Sequence, residues 1–388
     1  MCHAAAACAA TASPCSNMLL SAAASFAMFH LGVALVTRSS SPPLLQELFK
    51  SATAAGAATN NPWVKPGTPV TYRIPSLVAT NTTLIAFVSE RPGSSNDESA
   101  TNIVQRRSSD WGKTWGPLTL VVKAAEGMSS APWAIVDDRT SEVYLFWNQN
   151  STAVRKCSCG VAMVKGKNGK GYSSPVWLPP SSGVVGSSLN SGIRLQMGPH
   201  AGRLLVCMRK ICKNSCPGPW QSFVAYSDDF GSTFHASPHL HDGTTECQVS
   251  EMSDGTVYMT TRPYQGLSNP TDSVFSARSS DGGASFGALK AETALVDAGG
   301  VDGSVVSDPL GLRCPKKTVY FSHPDAKGRT NMTVYVSRDD AATWAPLLDI
   351  YAGGSAYSDM ALIGAGDDGD QSTSISRVGL LFEKDNCA

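Results

Sequence analysis

Apolar and polar residues alternate in short runs from Thr71 to the end of the chain, with Phe223–Tyr226, Val274–Ala277 and Thr333–Val336 as clear cases. A period of two puts alternate side chains on one face, the pattern of a half-buried strand. Each of these runs leads into the phrase S-x-D-x-G-x-x-aromatic or a variant of it. The phrase is SDDFGSTF at Ser227–Phe234 and SSDGGASF at Ser279–Phe286, and an earlier copy, SSDWGKTW, stands at Ser108–Trp115. The variant, SRDDAATW at Ser337–Trp344, has Ala341 in place of glycine; a worn fifth copy, KGKNGKGY at Lys165–Tyr172, keeps Gly169 and Tyr172. Asp and Ser side chains bond to nearby backbone in tight turns, and glycine supplies a conformation other residues resist. The phrase therefore predicts a hairpin turn with its terminal aromatic packed beneath the strands. Its spacing of roughly 50–60 residues lies in the range of propellers and arrays. A four-stranded blade needs about that much chain, so the ~345 residues after the N-terminal region make about six blades. The pattern predicts an all-β chain, a six-bladed β-propeller with Asp-box hairpins, as one domain over residues 42–388.

The N-terminal material is different. Residues 1–41 are rich in Ala and Ser and carry no acidic residue, and Asn17–Val36 is mostly apolar. That stretch is about as long as the ~20 residues that cross a bilayer. A leader over 1–41 is expected: a signal peptide, an uncleaved signal anchor giving membrane attachment, or part of a transit peptide, with no basic n-region to decide. Sequons at Asn81, Asn150 and Asn331 agree with the secretory pathway, whether lysosome or vacuole, membrane-associated or extracellular. Beyond the leader, Leu44–Phe49 suits a short strand or helix.

Charge narrows the partners. Acidic and basic residues number 31 each in the 388-residue chain. No basic stripe argues for nucleic acid, and no acidic run forms a tail. Of 11 cysteines, Cys207, Cys212 and Cys216 form a tight set suited to stapling a loop in an oxidising compartment. A zinc site would need paired C-x-x-C or histidines at ligand spacing, which are missing. No metal or cofactor is expected.

One further motif changes the picture: Tyr72-Arg73-Ile74-Pro75 at the start of the first repeat. Together, YRIP and the boxes resemble the sialidase (neuraminidase) family of exo-acting glycoside hydrolases. The likeness runs from about Leu44 to Glu383 and is nearest to the lysosomal-type animal sialidases, through stretches such as SSNDES, SGIRLQ, ECQ and LFEK. The resemblance implies a substrate whose sugar carries a carboxylate at the anomeric carbon, and a clamp of three arginines: Arg73 in YRIP, Arg262 in TTRP and Arg329 in GRTNMT. Planar guanidinium groups suit bidentate carboxylate binding. It also implies that Glu383 orients Arg73, that Arg91 lies near the sugar's C4 side, and that Asp97 is the acid/base. Tyr357 in GGSAYSDM is the implied nucleophile, with Glu246 in TTECQV as its base. Sialidases are an exception among retaining glycosidases in using tyrosine. A neutral phenol avoids the repulsion that a carboxylate nucleophile meets beside the substrate's own carboxylate.

Two departures from the family pattern stand out. Gly127–Val136 lacks the acidic residue that usually faces the N-acyl group, and Met128 and Trp133 are expected to make that wall apolar. The chain also stops soon after Glu383, where another strand is usual, so poor closure of the sixth blade is expected. The function implied is a retaining exo-α-sialidase acting on sialylated glycoproteins, glycolipids or oligosaccharides. Transfer of the sugar to galactose, or sialic acid binding without turnover, are the alternatives.

Overall fold

The computed structural model describes residues 30–36, 44–51, 61–97, 99–124, 131–149, 160–210, 219–264, 267–268, 272–297, 300–312, 314–326, 328–363 and 377–385. Met128, Asn150, Cys212, Cys216 and the first 29 residues of the expected leader lie outside them. Strands β1 (His30–Val36) and β2 (Leu44–Lys50) come first. Blade one is β3 (Val70–Ala79), β4 (Leu84–Pro92), β5 (Asn102–Ser108) and β6 (Thr119–Val122). Blade two is β7 (Trp133–Asp137), β8 (Glu142–Gln149), β9 (Gly160–Lys167) and β10 (Val176–Trp177). Blade three is β11 (Ile193–Arg194), β12 (Leu204–Lys210), β13 (Gln221–Ser227) and β14 (His235–Ala236). Blade four is β15 (Thr244–Glu251), β16 (Val257–Pro263), β17 (Ser273–Ser279) and β18 (Lys290–Val296). A seven-stranded sheet adds β19 (Ser304–Ser307), β20 (Val319–Ala326), β21 (Thr330–Ser337), β22 (Ala345–Ile363) and β23 (Arg377–Lys384).

That large sheet is two blades sharing one strand. The first half of β22 pairs with β21, and its second half, from Ser355, pairs with β23. Beyond β23 the order continues through β1 to β2. Six apolar clusters lie between successive blades, as a six-bladed ring requires. Phe87 meets Trp147 between blades one and two, Trp133 meets Phe223 between two and three, and Val224 meets Val249 between three and four. Tyr258 meets Phe321, Met332 meets Phe382, and Phe49 and Leu381 meet Leu77 to close the ring.

The boxes are hairpin turns between the third and fourth strands of blades one, three, four and five. In the first, Ser108 Oγ donates to Asp110 Oδ1 and accepts from Gly112 N, both at 2.7 Å, while Asp110 Oδ1 accepts from Thr114 N at 2.8 Å. Asp229, Asp281 and Asp339 repeat the cage. In the last, Ala341 takes the glycine's left-handed backbone at φ 62°. The worn copy in blade two has no carboxylate cage. Its turn is held by Asn168 N donating to Ser141 O, and Tyr172 Oη donates across to Gln105 of blade one.

Near the axis the innermost strands are buried on both faces, yet several are polar. Asp359 on β22 explains why. Its carboxylate accepts from Leu77 N at 2.8 Å, from Ser191 N at 3.1 Å and from the Ser191 hydroxyl; Gln248 Nε2 and Ser304 Oγ donate to it at 3.2 and 3.1 Å. One buried carboxylate thus ties five blades together.

Leu44–Lys50 is a strand, one of the two forms expected for Leu44–Phe49. Two expectations change. The segment His30–Val36, inside the expected leader, is paired in the sixth blade, with Leu31 opposite Glu383 and Ala34 opposite Leu380. It occupies the place beside β23 that was expected to be vacant, so the boundary at residue 41 cuts through the sheet. Cys207 staples no local loop: it is bonded to Cys247, joining β12 of blade three to β15 of blade four.

Candidate active site

Three β-bulges place the site's side chains. The β3–β4 register slips between Arg73 and Ser76, the β15–β16 register between Thr244 and Cys247, and the β22–β23 register between Ser355 and Ser358. These interruptions hold Arg73, Glu246 and Tyr357. A bulge inserts a residue and re-aims its neighbours, so a side chain that would face a neighbouring blade can face the axis instead. At Ile74 the backbone is left-handed, φ 54°, an outlier for a β-branched residue. Its side chain joins Ala131, Leu189, Val301, Ala356 and Tyr357 in a small apolar ring.

One group forms around Arg73. Its Nε and Nη2 donate to Glu383 Oε1 and Oε2 at 3.0 and 3.1 Å, and Ile74 N donates to the same Oε1 at 2.9 Å. Glu383 is fully buried on β23. The bidentate pair locks the guanidinium plane and leaves Nη1 to donate to Asp97 Oδ1 at 3.2 Å. Arg91 Nη1 donates to the same oxygen at 2.8 Å, and to Ser95 O. The Asp97 side chain is 70% exposed, at the mouth, although its Oδ1 is held by both arginines. Partial burial pushes its carboxyl up, but Arg91 and Arg73 outweigh that and hold it below the ordinary range.

A second group forms around Glu246. Tyr357 Oη donates to its Oε1 at 3.0 Å, and Arg262 Nη1 to its Oε2 at 2.8 Å. Burial pushes Glu246 up; Arg209 and Arg262 overcome it and keep the carboxyl low. For Tyr357, burial and the Glu246 charge push the phenol well above its ordinary value, with Arg262, Arg209 and Arg73 opposing. Arg329, at the β20–β21 turn with φ 56°, donates from Nη2 to Gly300 O at 3.1 Å. The two groups meet where the Arg73 guanidinium lies 5.5 Å from the centre of the Tyr357 ring. Arg73, Glu246 and Tyr357 lie on innermost strands, Arg91, Arg262 and Glu383 on the strands next to them, and Asp97 and Arg329 in the turns beyond.

Two residues were missed. Arg209 is the last residue but one of β12, as Arg262 is of β16; it donates to Glu246 Oε1 and to Ser187 Oγ, and its guanidinium lies 5.8 Å from the Trp220 ring. Its position after an alternating strand was the available signal. Asp302 is buried, accepts from Asn190 Nδ2 at 3.0 Å, and is pushed far up by burial and by the Glu246 charge. No local pattern distinguishes it. One expected wall residue is elsewhere: Trp133 is fully buried and stacked on Phe146 at 6.1 Å, so it packs between blades two and three. Among the described residues, no group of three or more His, Cys, Asp or Glu could hold a metal ion.

Comparison with known proteins follows the same lines. Residues 82–368 match the BNR repeat-like domain family. The chain is 30% identical to Sialidase-2 of Rattus norvegicus over 352 residues, covering 81% of this chain and 89% of the rat protein. It is 27% identical to a sialidase of Micromonospora viridifaciens over 80% of this chain, spanning 50% of that longer protein. Among solved structures, a Hadza microbial sialidase superposes with TM-score 0.68 at 21% identity, covering 88% of this chain and 67% of its own. A leech intramolecular trans-sialidase superposes with TM-score 0.60 at 18% identity, covering 81% and 65%.

Proposed function

This chain belongs to the sialidase family, and on that premise we propose that it is a retaining exo-α-sialidase releasing terminal sialic acids from glycoconjugates. The observation that carries the reading is the hydrogen bond from Tyr357 Oη to Glu246 Oε1, with Arg73 beside the ring. A phenol next to an ionised carboxylate is a nucleophile with its base in place.

The substrate carboxylate is bound by Arg73, Arg262 and Arg329. Charge-assisted hydrogen bonds of this kind contribute roughly 1.5–3 kcal/mol each. Its arrival also resets Asp97. In the free site two arginines hold Asp97 ionised, whereas a leaving-group donor must be protonated. A second anion on Arg73 offsets the charge that depresses Asp97 and raises its affinity for a proton. Tyr357 oxygen then bonds to the anomeric carbon and its proton passes to Glu246. The glycosidic C–O bond breaks, and the leaving oxygen takes the proton from Asp97. In the second half, Asp97 takes a proton from water, the water oxygen bonds to the anomeric carbon, and the phenol departs with its proton returned by Glu246.

A fluorogenic α-sialoside tests this. Tyr357→Phe is expected to lower kcat by roughly a thousandfold with the fold retained; substantial turnover in Tyr357→Phe/Glu246→Ala would contradict the assignment. Product analysis with and without galactosides separates hydrolysis from transfer. The Cys207–Cys247 pairing supports folding in an oxidising compartment, in line with a secretory-pathway location.

A further inference from the structure

His323 lies on β20 just below the site and plays no part in the chemistry above. Its ring is 1% exposed. Nδ1 faces Pro324 O at 2.6 Å; Nε2 faces Val301 O at 3.0 Å and Asp297 Oδ1 at 3.2 Å. Every one of these partners is an acceptor. A neutral imidazole has one N–H, so one ring nitrogen would point a lone pair at a carbonyl; only the imidazolium donates from both.

What the ring holds is the turn that leads from β18 to β19. Asp297 Oδ1 also accepts from Val301 N at 3.3 Å, and Asp297 O accepts from Gly300 N. Gly300 is the contact point for two clamp arginines. Its carbonyl accepts from Arg329 Nη2, and its left-handed backbone, φ 58°, lies so close to Arg262 that an added Cβ would be 2.9 Å from Arg262 Nη2. The next residues are Val301, in the apolar ring around Tyr357, and the buried Asp302. Moving this turn moves the surface on which Arg262 and Arg329 rest.

We propose that His323 is a positioning residue for the arginine clamp: as an imidazolium it fixes Asp297 and Val301, and with them Gly300, and so sets where Arg262 and Arg329 meet the substrate carboxylate. The proposal rests on the sialidase reading for its substrate, but the histidine's state and contacts do not. Charged groups on the surrounding elements are Asp297 and Asp302 on the turn, Asp325 on its own strand, and Arg262 and Arg329 against Gly300. Burial pushes the imidazole down, but the hydrogen bond and charge of Asp297 and the two carbonyls outweigh it, and the net shift is upward. The clamp is therefore firm on the acid side and loosens as pH rises through that raised range.

The test is steady-state kinetics from acid to mildly alkaline pH on the full chain, with the parent, His323→Gln and Asp297→Asn. For His323→Gln, KM for a fluorogenic α-sialoside is expected to rise about tenfold while kcat changes less than about threefold. The parent's KM should climb with pH, and the variant's should start high and stay flat. Asp297→Asn keeps the ring and should bring the parent's climb to lower pH, which covers the case of a Gln variant that does not fold. Nitrogen NMR of the parent's ring, followed across the same pH range, is expected to show the imidazolium persisting above the ordinary histidine range. A ring that loses its proton at or below that range, an unchanged KM, or a loss confined to kcat overturns the proposal. Failure of the parent to cleave the sialoside or to bind free sialic acid would remove the functional reading instead, and the NMR result would still decide the state of His323.

Discussion

At the scale of single residues, the site works by opposing burial with arginine. Glu246 and Asp97 both sit where partial or full burial favours the neutral acid, and in both cases neighbouring guanidinium groups win. In the mechanism proposed above the two carboxyls need opposite states: Glu246, as base, ionised, and Asp97, as acid, protonated. Arg209 and Arg91 therefore control opposite limbs of the pH profile. An opposite charge in contact favours the ionised carboxyl and so lowers its affinity for a proton. Arg209→Met removes the largest positive charge effect lowering Glu246, so the carboxyl holds its proton to higher pH. Activity on the acid side should fall roughly tenfold, and the acid limb should move toward neutrality. Arg91→Met releases Asp97 upward, so the alkaline limb should extend to higher pH even if binding weakens. A kcat/KM profile of each variant checks both signs; limbs that move the other way would show that these arginines do not set the ionisation of the pair.

At the scale of elements, the boxes anchor each hairpin to the preceding blade. Gly231 in the blade-three box has φ 71°, and a Cβ there would be 2.6 Å from Cε1 of Tyr144, a fully buried residue of blade two. Tyr144 Oη donates to Phe230 O beside it. Gly231→Ala thus combines left-handed strain with a clash against a ring that cannot move without losing its partner. A cost of roughly 1–3 kcal/mol is expected, seen as a lower urea midpoint with unchanged slope. Gly328→Ala at φ 81°, where nothing lies within 4 Å, isolates strain alone and should cost less. The boxes were legible in the sequence because their chemistry is local: Ser108 bonds two and four residues ahead, and Asp110 four ahead. The eight candidate site residues were picked out by short phrases such as YRIP and TTECQV, through the resemblance those phrases carry. Arg209 and Asp302 were not, because their meaning arises only when Glu246 and Asn190, 37 and 112 residues away, fold against them. The Cys207–Cys247 bond was hidden for the same reason, since both cysteines lie on strands of different blades.

At the scale of the whole molecule, the ring is closed by the N-terminal strands, and the closure touches the chemistry. An apolar run of about 20 residues has the same composition whether it enters a bilayer or a sheet, so hydropathy alone could not separate the two. The register separates them for one part: β1 lies between β23 and β2, with His30 opposite Lys384 and Leu31 opposite Glu383. Glu383 holds both the guanidinium of Arg73 and the amide of Ile74. Without β1, β23 becomes an open edge and β2 loses its connection to the sheet. Among the described residues, deleting 2–29 leaves every strand in place, whereas deleting 2–41 removes β1 and no other described strand. The shorter deletion should leave the urea midpoint and kcat/KM near those of the full chain. The longer one should lower the midpoint and reduce kcat/KM by roughly tenfold to a hundredfold, because a slack β23 displaces Arg73 from the sugar carboxylate. A cross-strand test needs no deletion: Ala34→Cys with Leu380→Cys faces directly opposed positions and should form a disulfide, while Ala34→Cys with Leu381→Cys, on opposite faces of the pleat, should not. Equal cross-linking of the two pairs, or equal activity of the two truncations, would place the closure elsewhere.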